Sequence, residues 1–357
     1  MNFKKHVTGF LGITAVVIAS VLISATTPVQ AKVAKSLTST SLLSTELTKN
    51  NGSIKVQIDN TRKSLTFTLK GCRQYSGRAI TCDHELREDS GFSNILVDEN
   101  GNASLKADLS SLKESTNSLW AYRSNKTYST DMDYSSMSYT GFLKLSIKKS
   151  SGQYFFYSPA GKNEKAFRES LDKNYSPKTK RSPYYTQNLT YGKKIKAKTK
   201  AIIKNCKTRS EKIKAIHDWL GKNIQYNYAA LYAPSGSNIQ WNSADPDWVF
   251  KNKKAVCSGY ARLARVMYTY AGVPCLNIVG TAQSGLTSGT DYNTPNHEWN
   301  AVYLSGSWRI LDITWDSPNK YYGKNDQQNI KGEAPRYTYY GITPFVLGMD
   351  HISLSVS

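Results

Sequence analysis

Alternation of hydrophobic and polar residues with a period of two predicts paired β-strands in two segments of the first half of the chain. In residues 53–71 the apolar positions lie on both sides of a polar turn: Ile54, Val56, Ile58, Leu65, Phe67 and Leu69. In residues 142–159 they flank a turn containing Lys-Ser-Gly: Leu143, Leu145, Ile147, Phe155 and Tyr157. We therefore predict two β-hairpins and interpret residues 32–158 as a β-rich module of unassigned role.

The hydrophobic pattern then changes to a helical period. Thr208 and Glu211 have the spacing of a capping box, and apolar residues follow it at helical intervals: Ile213, Ile216, Leu220 and Ile224. His217 lies four residues after Ile213 and shares the apolar stripe of this helix. This position favours a packed core histidine over a catalytic one.

Residues 159–192 contain scattered proline, lysine and tyrosine, which is typical of a connector, with one helix expected near residues 165–171. The segment 191–214 then carries ten lysine or arginine residues against Glu211 alone. This basic cluster is either a binding site for an anionic polymer or a solvated helix face, and the second interpretation is favoured.

Residues 1–31 have the features of a secretory signal peptide. Lys4 and Lys5 form a basic start, residues 7–25 carry no charge, and Ala31 supplies a small residue at the expected cleavage point. The alternative is an uncleaved membrane anchor, because the apolar run approaches the length of a membrane span. We predict a secreted protein that is associated with the cell wall or free in the medium.

The chain of 357 residues is strongly basic, with a formal net charge of +21. Without residues 1–31, 45 basic and 26 acidic residues remain, a formal charge of +19. Such a field favours anionic partners, and a secreted protein meets anionic polymers of the cell envelope before nucleic acid. No zinc-finger, basic-zipper or RNA-recognition pattern supports a nucleic-acid partner. The alternative is a basic surface that only keeps the protein soluble.

Five cysteines are too few for a disulfide scaffold, and their odd number leaves at least one thiol free: Cys72, Cys82, Cys206, Cys257 and Cys275. Cys72 and Cys82 flank a short polar segment, so a disulfide between them is an open alternative. His217, His297 and His351 lack the spacing of zinc ligands, and no acidic calcium loop is present. We expect neither a metal nor an organic cofactor.

Cys257 stands directly before a predicted helix that ends at Gly272 and Pro274. Small and apolar residues line one side of this helix: Ala261, Ala264, Met267, Tyr268 and Ala271. A thiol at a helix N-terminus faces unpaired amide donors and the positive end of the helix dipole, which favour the thiolate. The same amides are able to hold an oxyanion. Cys257 is therefore a candidate nucleophile, and a small buried hydrophobe is the alternative.

A base for this nucleophile is available in residues 297–314, where two strands flank Ser305 and Gly306. If these two residues form the turn, Trp299 lies opposite Asp312, and His297 lies on the same face as its diagonal neighbour. A four-residue turn preserves this arrangement, whereas a three-residue turn separates the two side chains. In the favourable register Asp312 orients the imidazole of His297, which then accepts the thiol proton of Cys257.

Three ordered motifs are similar to the transglutaminase-like superfamily of papain-type cysteine enzymes, particularly its secreted bacterial branch. They are "KIKAIHDWLGKNIQYN", "VCSGYARLARVMYTYAGVPC" and "NHEWNAVYLSGSWRILDITWD". The resemblance covers about residues 195–345 and implies an α+β fold for residues 193–357, with the cysteine helix packed on an antiparallel sheet.

Carried over to this chain, the resemblance implies Cys257 as nucleophile, His297 as base and acid, and Asp312 as the residue that orients His297. It implies a structural role for Asp316, and it leaves the oxyanion donor open between Trp241 and Tyr226. The expected activity is thiol-mediated acyl transfer to an amine, or hydrolysis, on protein or peptide amides such as those of wall peptides. The alternative is a catalytically silent module that binds the envelope and retains the fold.

Overall fold

A computed structural model of the chain describes residues 39–42, 52–83, 95–124, 127, 139–177, 188–283, 291–321, 327–329 and 337–357. The predicted signal peptide lies outside these residues. None of the described helices combines the length and apolar character that a membrane span requires.

Two antiparallel sheets make up the first part of the described chain. The strands of one are β1 (Ser39–Leu42), β2 (Ser53–Asp59), β3 (Ser64–Lys70) and β6 (Ala103–Asp108), in the order β1-β2-β3-β6. The strands of the other are β4 (Ala79–Asp83), β5 (Ile95–Leu96), β7 (Thr116–Ser124), β8 (Tyr139–Ser150) and β9 (Gln153–Phe156), in the order β5-β4-β7-β8-β9.

Both predicted hairpins are present. Strands β2 and β3 pair as expected, and all six of their alternating apolar side chains are buried. Strands β8 and β9 also pair, but Phe155 was assigned to the wrong face. The turn at Ser151 and Gly152 sets Ile147 opposite Phe156, so Phe156 is buried while Phe155 is only half-buried. A two-residue turn fixes the register, and the register decides which face is buried.

Helices dominate the middle of the chain. They are α1 (Gly161–Asn174), α2 (Gly192–Ile202), α3 (Arg209–Asn223), α4 (Tyr228–Leu231), α5 (Asn238–Ala244), α6 (Pro246–Asn252) and α7 (Cys257–Ala271). Two short parallel strands, β10 (Gln225–Tyr226) and β11 (Lys254–Ala255), lie among them. The predicted capping box of Thr208 and Glu211 begins α3, and the four apolar residues behind it are fully buried.

A four-stranded antiparallel sheet follows, in the order β14-β13-β12-β17. Its strands are β12 (Cys275–Ala282), β13 (His297–Leu304), β14 (Ser307–Leu311) and β17 (His351–Val356). The remaining elements are α8 (Ile313–Asp316), β15 (Asn319–Tyr321), β16 (Gln327–Asn329) and α9 (Pro344–Leu347). Helix α7 packs on β12 and β13. The α+β class and the cysteine helix on an antiparallel sheet are therefore confirmed.

One hydrophobic core extends from the β-rich part to the four-stranded sheet. Its buried members include Phe142 and Leu145 from β8, Trp299 from β13 and Ile310 from β14. A second core surrounds α7 and receives the apolar stripe of α3. The division at residues 158 and 192 stays a prediction.

None of the five cysteines, all of which lie among the described residues, forms a disulfide, so the open alternative of a Cys72–Cys82 disulfide is not realised. Cys72 is fully buried, and burial raises the pKa of its thiol.

Candidate active site

Cys257 is the first residue of helix α7, so its side chain lies at the helix N-terminus. The preceding residue, Val256, has extended backbone and donates its N–H to the carbonyl oxygen of Ser243 at 3.0 Å. Gly259 lets α7 approach α5 closely, because a Cβ atom there would lie 2.1 Å from the same carbonyl oxygen. The Cys-Ser-Gly sequence therefore fixes the position of the thiol as well as supplying it.

His297 begins strand β13, and Asp312 directly follows strand β14. The turn between these strands consists of Ser305 and Gly306, both with positive φ (52° and 90°), and Leu304 pairs with Ser307. This is the register that the sequence requires for His297 and Asp312 to meet. One detail was wrong, because the second strand ends at Leu311 and the predicted strand residues up to Thr314 enter α8 instead.

The end of the strand gives Asp312 two roles. It is the N-cap of α8, and its Oδ1 atom accepts a hydrogen bond from the Trp315 N–H at 3.1 Å. Its Oδ2 atom lies 2.7 Å from Nε2 of His297. The helix cap thus holds the carboxylate with one oxygen directed at the imidazole.

The thiol of Cys257 lies close enough to His297 to act on its imidazole, in the direction that raises its pKa. Because Nε2 faces Asp312, the other ring nitrogen, Nδ1, is left for the sulfur. The structure thus brings together the three side chains that the sequence singles out, in the order thiol, imidazole, carboxylate. The side chain of His297 is only 8% exposed and that of Asp312 is fully buried, so the contacts lie in a medium of low polarity.

Electrostatics in this group favour the protonated, imidazolium form of His297. Burial alone lowers the pKa of His297, but the charges and hydrogen bonds of Asp312 and Cys257 outweigh burial and raise the pKa to about 10. For Asp312, burial opposes ionisation, and the histidines beside it nevertheless hold its pKa well below the usual range. The site is therefore suited to keep an ionised carboxylate and a protonated His297 at neutral pH.

The sequence profile of the Transglutaminase-like superfamily matches residues 196–313, a segment that contains Cys257, His297 and Asp312. Residues 196–313 form a transglutaminase-like domain. The additional prediction of a bacterial branch stays a prediction.

Curated relatives match the same part of the chain. The kyphoscoliosis peptidase of Homo sapiens is 31% identical over 118 residues, which are 32% of this chain and 17% of that protein. Hillarin of Drosophila melanogaster is 26% identical over 138 residues, 35% of this chain and 16% of that protein. The chain therefore spans about a sixth of the length of the curated relatives it matches.

Solved structures show a more distant likeness. A candidate cysteine protease from Cytophaga hutchinsonii is 15% identical, with 71% of this chain and 75% of that chain covered and a TM-score of 0.30. Red sea bream transglutaminase is 12% identical, with 81% of this chain and 54% of that chain covered and a TM-score of 0.30.

His217 and Asp316 of the motifs meet in the interior beside the candidate active site. Nε2 of His217 lies 3.1 Å from Oδ2 of Asp316, and Nδ1 lies 3.0 Å from Oδ1 of Asp218. Burial alone lowers the pKa of His217, but these two carboxylates raise it to about 9. Burial raises the pKa of Asp316 to about 6, although the hydrogen bonds from His217 and the Tyr339 N–H oppose this shift. The packed core position predicted for His217 is confirmed.

A cavity of about 350 Å³ opens beside His297. Tyr226, one of the two expected oxyanion donors, lines this cavity, and the charge of Cys257 adds to the effect of burial in raising the pKa of Tyr226. Trp241, the other one, is 58% exposed and donates its indole N–H to the carbonyl oxygen of Gly236 at 3.0 Å. The geometry therefore favours Tyr226 over Trp241.

His351 is the polar residue of the site that sequence reasoning missed. Its Nε2 atom lies 3.2 Å from the same Oδ2 atom of Asp312 that contacts His297. One signal was available: "HISLSVS" alternates after a leading histidine, as does the strand that His297 begins. The chain gave no indication that β17 would pair with β12 and bring His351 to Asp312.

His297, Asp312 and His351 are the described residues whose donor atoms lie close enough together, within 4.8 Å, to suggest a metal site. Both imidazoles direct Nε2 at one carboxylate oxygen, at hydrogen-bond distances of 2.7 and 3.2 Å. A cation in this position would have to displace both hydrogens. The donor set therefore fits a hydrogen-bonded chain better than a metal centre.

Proposed function

We propose that the chain is a secreted cysteine enzyme that transfers or hydrolyses acyl groups of protein or peptide amides. In this proposal Cys257 is the nucleophile, His297 is the acid and base, and Asp312 orients His297. The observation that carries the proposal is the 2.7 Å contact between Nε2 of His297 and Oδ2 of Asp312, together with the effect of the nearby Cys257 thiol on the same imidazole.

The first half-reaction breaks the amide bond. The Cys257 thiolate attacks the carbonyl carbon, and the carbonyl oxygen takes up negative charge beside the α7 amides and the Tyr226 hydroxyl. When the carbon–nitrogen bond breaks, the His297 imidazolium gives its proton to the departing nitrogen. Ammonia or an amine leaves, a thioester remains on Cys257, and His297 is neutral.

The second half-reaction releases the acyl group. Neutral His297 accepts a proton from an incoming amine or water, whose nitrogen or oxygen attacks the thioester carbon. The carbon–sulfur bond breaks, and the Cys257 thiolate and the His297 imidazolium are restored. An amine gives a new amide, and therefore a cross-link when donor and acceptor belong to different molecules; water gives a carboxylic acid. Throughout, Asp312 keeps its negative charge and stabilises the imidazolium.

The experiment that tests this proposal uses the mature chain and envelope-derived peptides, with and without a labelled primary amine. Mass spectrometry is expected to show either a mass increase equal to the amine minus ammonia, or hydrolysis products, and a transient acyl adduct on Cys257. Cys257→Ala should remove all of these, while the matched variant Cys206→Ala should keep them. Equal product formation by wild type and Cys257→Ala would refute the proposed chemistry.

We further propose that the protein acts at an anionic cell envelope. The support is the basic composition and the exposed lysines on helix α2: Lys193, Lys194, Lys196, Lys198 and Lys200. Charges on a solvated face attract anionic polymers at low ionic strength without a dedicated binding pocket. A catalytically silent module with the same basic surface would also be retained on the envelope, so retention does not distinguish it from an enzyme. The comparison of wild type with Cys257→Ala does distinguish them.

A further inference from the structure

A buried chain of alternating charges extends from the candidate active site to the β-rich part of the molecule. Beyond Asp312, Nε2 of His351 lies 3.2 Å from Oδ2 of Asp312, and its Nδ1 lies 2.7 Å from Oδ1 of Asp350. Oδ2 of Asp350 lies 2.9 Å from Nζ of Lys144, on strand β8. None of the side chains from Asp312 to Lys144 is more than 4% exposed.

Both nitrogens of the His351 ring face carboxylates, and an ionised carboxylate only accepts hydrogen bonds. Two such contacts require a proton on each nitrogen, which makes the ring an imidazolium. The charges of Asp350 and Asp312 outweigh the effect of burial and raise the pKa of His351, in agreement with this assignment. Oδ2 of Asp312 thus accepts two hydrogen bonds, one from the imidazole of His297 and one from that of His351.

We propose that His351 is a positioning residue of the active site, whose two-sided contact with Asp312 and Asp350 sets the orientation and the effective charge of Asp312 toward His297. The ring centroids of the two histidines lie 5.8 Å apart. The positive charge of His351 therefore offsets part of the negative charge that His297 experiences, and it also favours the nearby thiolate. This inference rests on the proposed function of Cys257 and His297.

Other groups around His351 also influence its charge. Asp350 also accepts a hydrogen bond from the Tyr339 hydroxyl at 2.6 Å. Glu164, on α1, accepts hydrogen bonds from the Ser353 N–H and hydroxyl at 2.5 and 2.8 Å, and its charge acts on His351. Burial raises the pKa of Glu164 to about 7. Asp312 and Asp350 contact the ring directly, whereas the positive groups, Lys144 and His297, lie farther from it.

The test is the pH dependence of Cys257 alkylation by iodoacetamide in the full mature chain. His351→Gln preserves a polar side chain but removes the positive charge, so the thiolate forms at higher pH. We expect the pH of half-maximal alkylation to rise by roughly one unit. His217→Gln is the matched control, since it also removes a buried imidazolium held between two carboxylates, and it should leave this pH unchanged.

A purely structural His351 would lower stability in the variant and leave the pH of half-maximal alkylation where it is in the wild type. That result would overturn the positioning role while leaving the proposed function intact. If His351→Gln does not fold, Lys144→Met removes the charge at the other end of the same row of buried charged groups. We then expect a smaller rise in the pH of half-maximal alkylation, and an unchanged pH profile would overturn the inference. A wild-type Cys257 that reacts like a free model thiol would instead refute the proposed function and, with it, the positioning role.

The cavity beside His297 carries a second, independent inference about the substrate. Its walls contain five aromatic side chains: Trp120, Tyr226, Tyr228, Trp315 and Tyr339. The ammonium of Lys144 also borders it, 5.5 Å from the Trp120 ring centroid, but this charge is paired with Asp350. Among the described residues that line the cavity, none is Asp, Glu, Asn, Gln or Arg.

We infer that this cavity binds an aromatic side chain next to the amide that reacts. Flat aromatic walls pack well against a ring, and the paired Lys144 leaves no net attraction for an acidic residue. A sugar is the competing occupant, because Tyr226, Tyr228, Thr314, Ser317 and Tyr339 bring hydroxyl groups to the lining. Trp120 comes from β7, so the β-rich part of the chain would supply one wall of the substrate site. This inference rests on the proposed function for the location of the amide.

Calorimetry with the Cys257→Ala variant separates binding from turnover. Matched glutamine peptides with Phe, Ala or Glu next to the glutamine, and a glycosylated Ala peptide, are the probes. We expect the Phe peptide to bind at least about tenfold more tightly than the others, and Trp120→Ala to reduce this preference to about twofold. Trp219→Ala, outside the cavity, is the control. Equal affinities for Phe and Ala, or preference for the glycosylated peptide, would overturn the inference even if wild-type turnover is intact.

Discussion

Oδ2 of Asp312 lies 2.7 Å from Nε2 of His297, although Asp312 is not part of the strand that pairs with the strand of His297. The two-residue turn at Ser305 and Gly306 sets the register, and the cap of helix α8 then fixes the carboxylate. This contact is the basis for the first two predictions.

Replacing His297 with alanine is expected to slow alkylation of Cys257 at pH 7 by roughly thirtyfold or more. Without the imidazole the thiol loses its proton acceptor, and the thiolate loses the positive charge that stabilises it; an ordinary thiol is only a few per cent ionised at this pH. Peptide mapping after timed exposure to iodoacetamide measures the rate. Cys275 provides an internal control, because burial raises the pKa of its thiol to about 12 and it should react slowly in both proteins. Equal rates at Cys257 would show that imidazole does not activate this thiol.

Asp312→Asn is expected to lower the pKa of His297 from about 10 toward its ordinary value. The amide keeps the shape of the side chain but removes the negative charge that stabilises the imidazolium, and it no longer fixes the tautomer. Turnover should fall by roughly 10²- to 10⁴-fold. NMR titration of the histidine rings measures the pKa, and steady-state kinetics measure turnover. An unchanged pKa of His297 would contradict the orienting role of Asp312.

Tyr226→Phe is expected to reduce kcat/KM by roughly 10- to 1000-fold, since one donor to the oxyanion is lost. Alkylation by iodoacetamide forms no oxyanion, so the alkylation rate should stay at the wild-type value. This difference distinguishes an oxyanion donor from a residue that merely shapes the site. Tyr232→Phe, at a side chain that is 52% exposed, is the matched control and should change neither rate. A parallel loss of turnover and alkylation in Tyr226→Phe would contradict the assignment.

His217 should make folding stability depend on pH on the alkaline side. Its pKa is about 9 in the folded chain and near 6.5 when unfolded. Because the folded pKa is raised, its contribution is fully present below pH 6.5 and is lost as the pH rises through 9. The contribution is on the order of 3 kcal/mol. Urea unfolding at several pH values should show this loss in the wild type and a flatter dependence in His217→Gln. Identical pH dependence in the two proteins would contradict the ion-pair assignment.

Retention on the envelope is expected to be electrostatic, in view of the formal charge of +19 without residues 1–31. Washing intact cells with 1 M salt should release most of the protein, because the screening length falls to about 3 Å. Immunoblotting of the wash and of the cells measures the released fraction. Isotonic sucrose of matched osmolarity is the control. Retention in high salt would point instead to shape-specific binding or to an uncleaved anchor.

Local patterns determined much of this protein. The alternation in residues 53–71 predicted a hairpin, Thr208 and Glu211 predicted the start of a helix, and Cys257 was expected at the head of another. These features depend on residues close together in the chain, so sequence spacing is sufficient to predict them. The meeting of His297 and Asp312 was also predictable, but only as one of two outcomes that depended on the length of a turn.

Tertiary structure alone decided which distant groups joined this local site. Lys144 and His351 are separated by 207 positions, yet Asp350 bridges them, because β17 pairs with β12 while the β-rich part shares a core with the same sheet. The tertiary structure also places Tyr226, and not Trp241, in the wall of the cavity. The stability of such contacts comes from burial and from charges that are close in space, and neither quantity is contained in the spacing of residues along a chain.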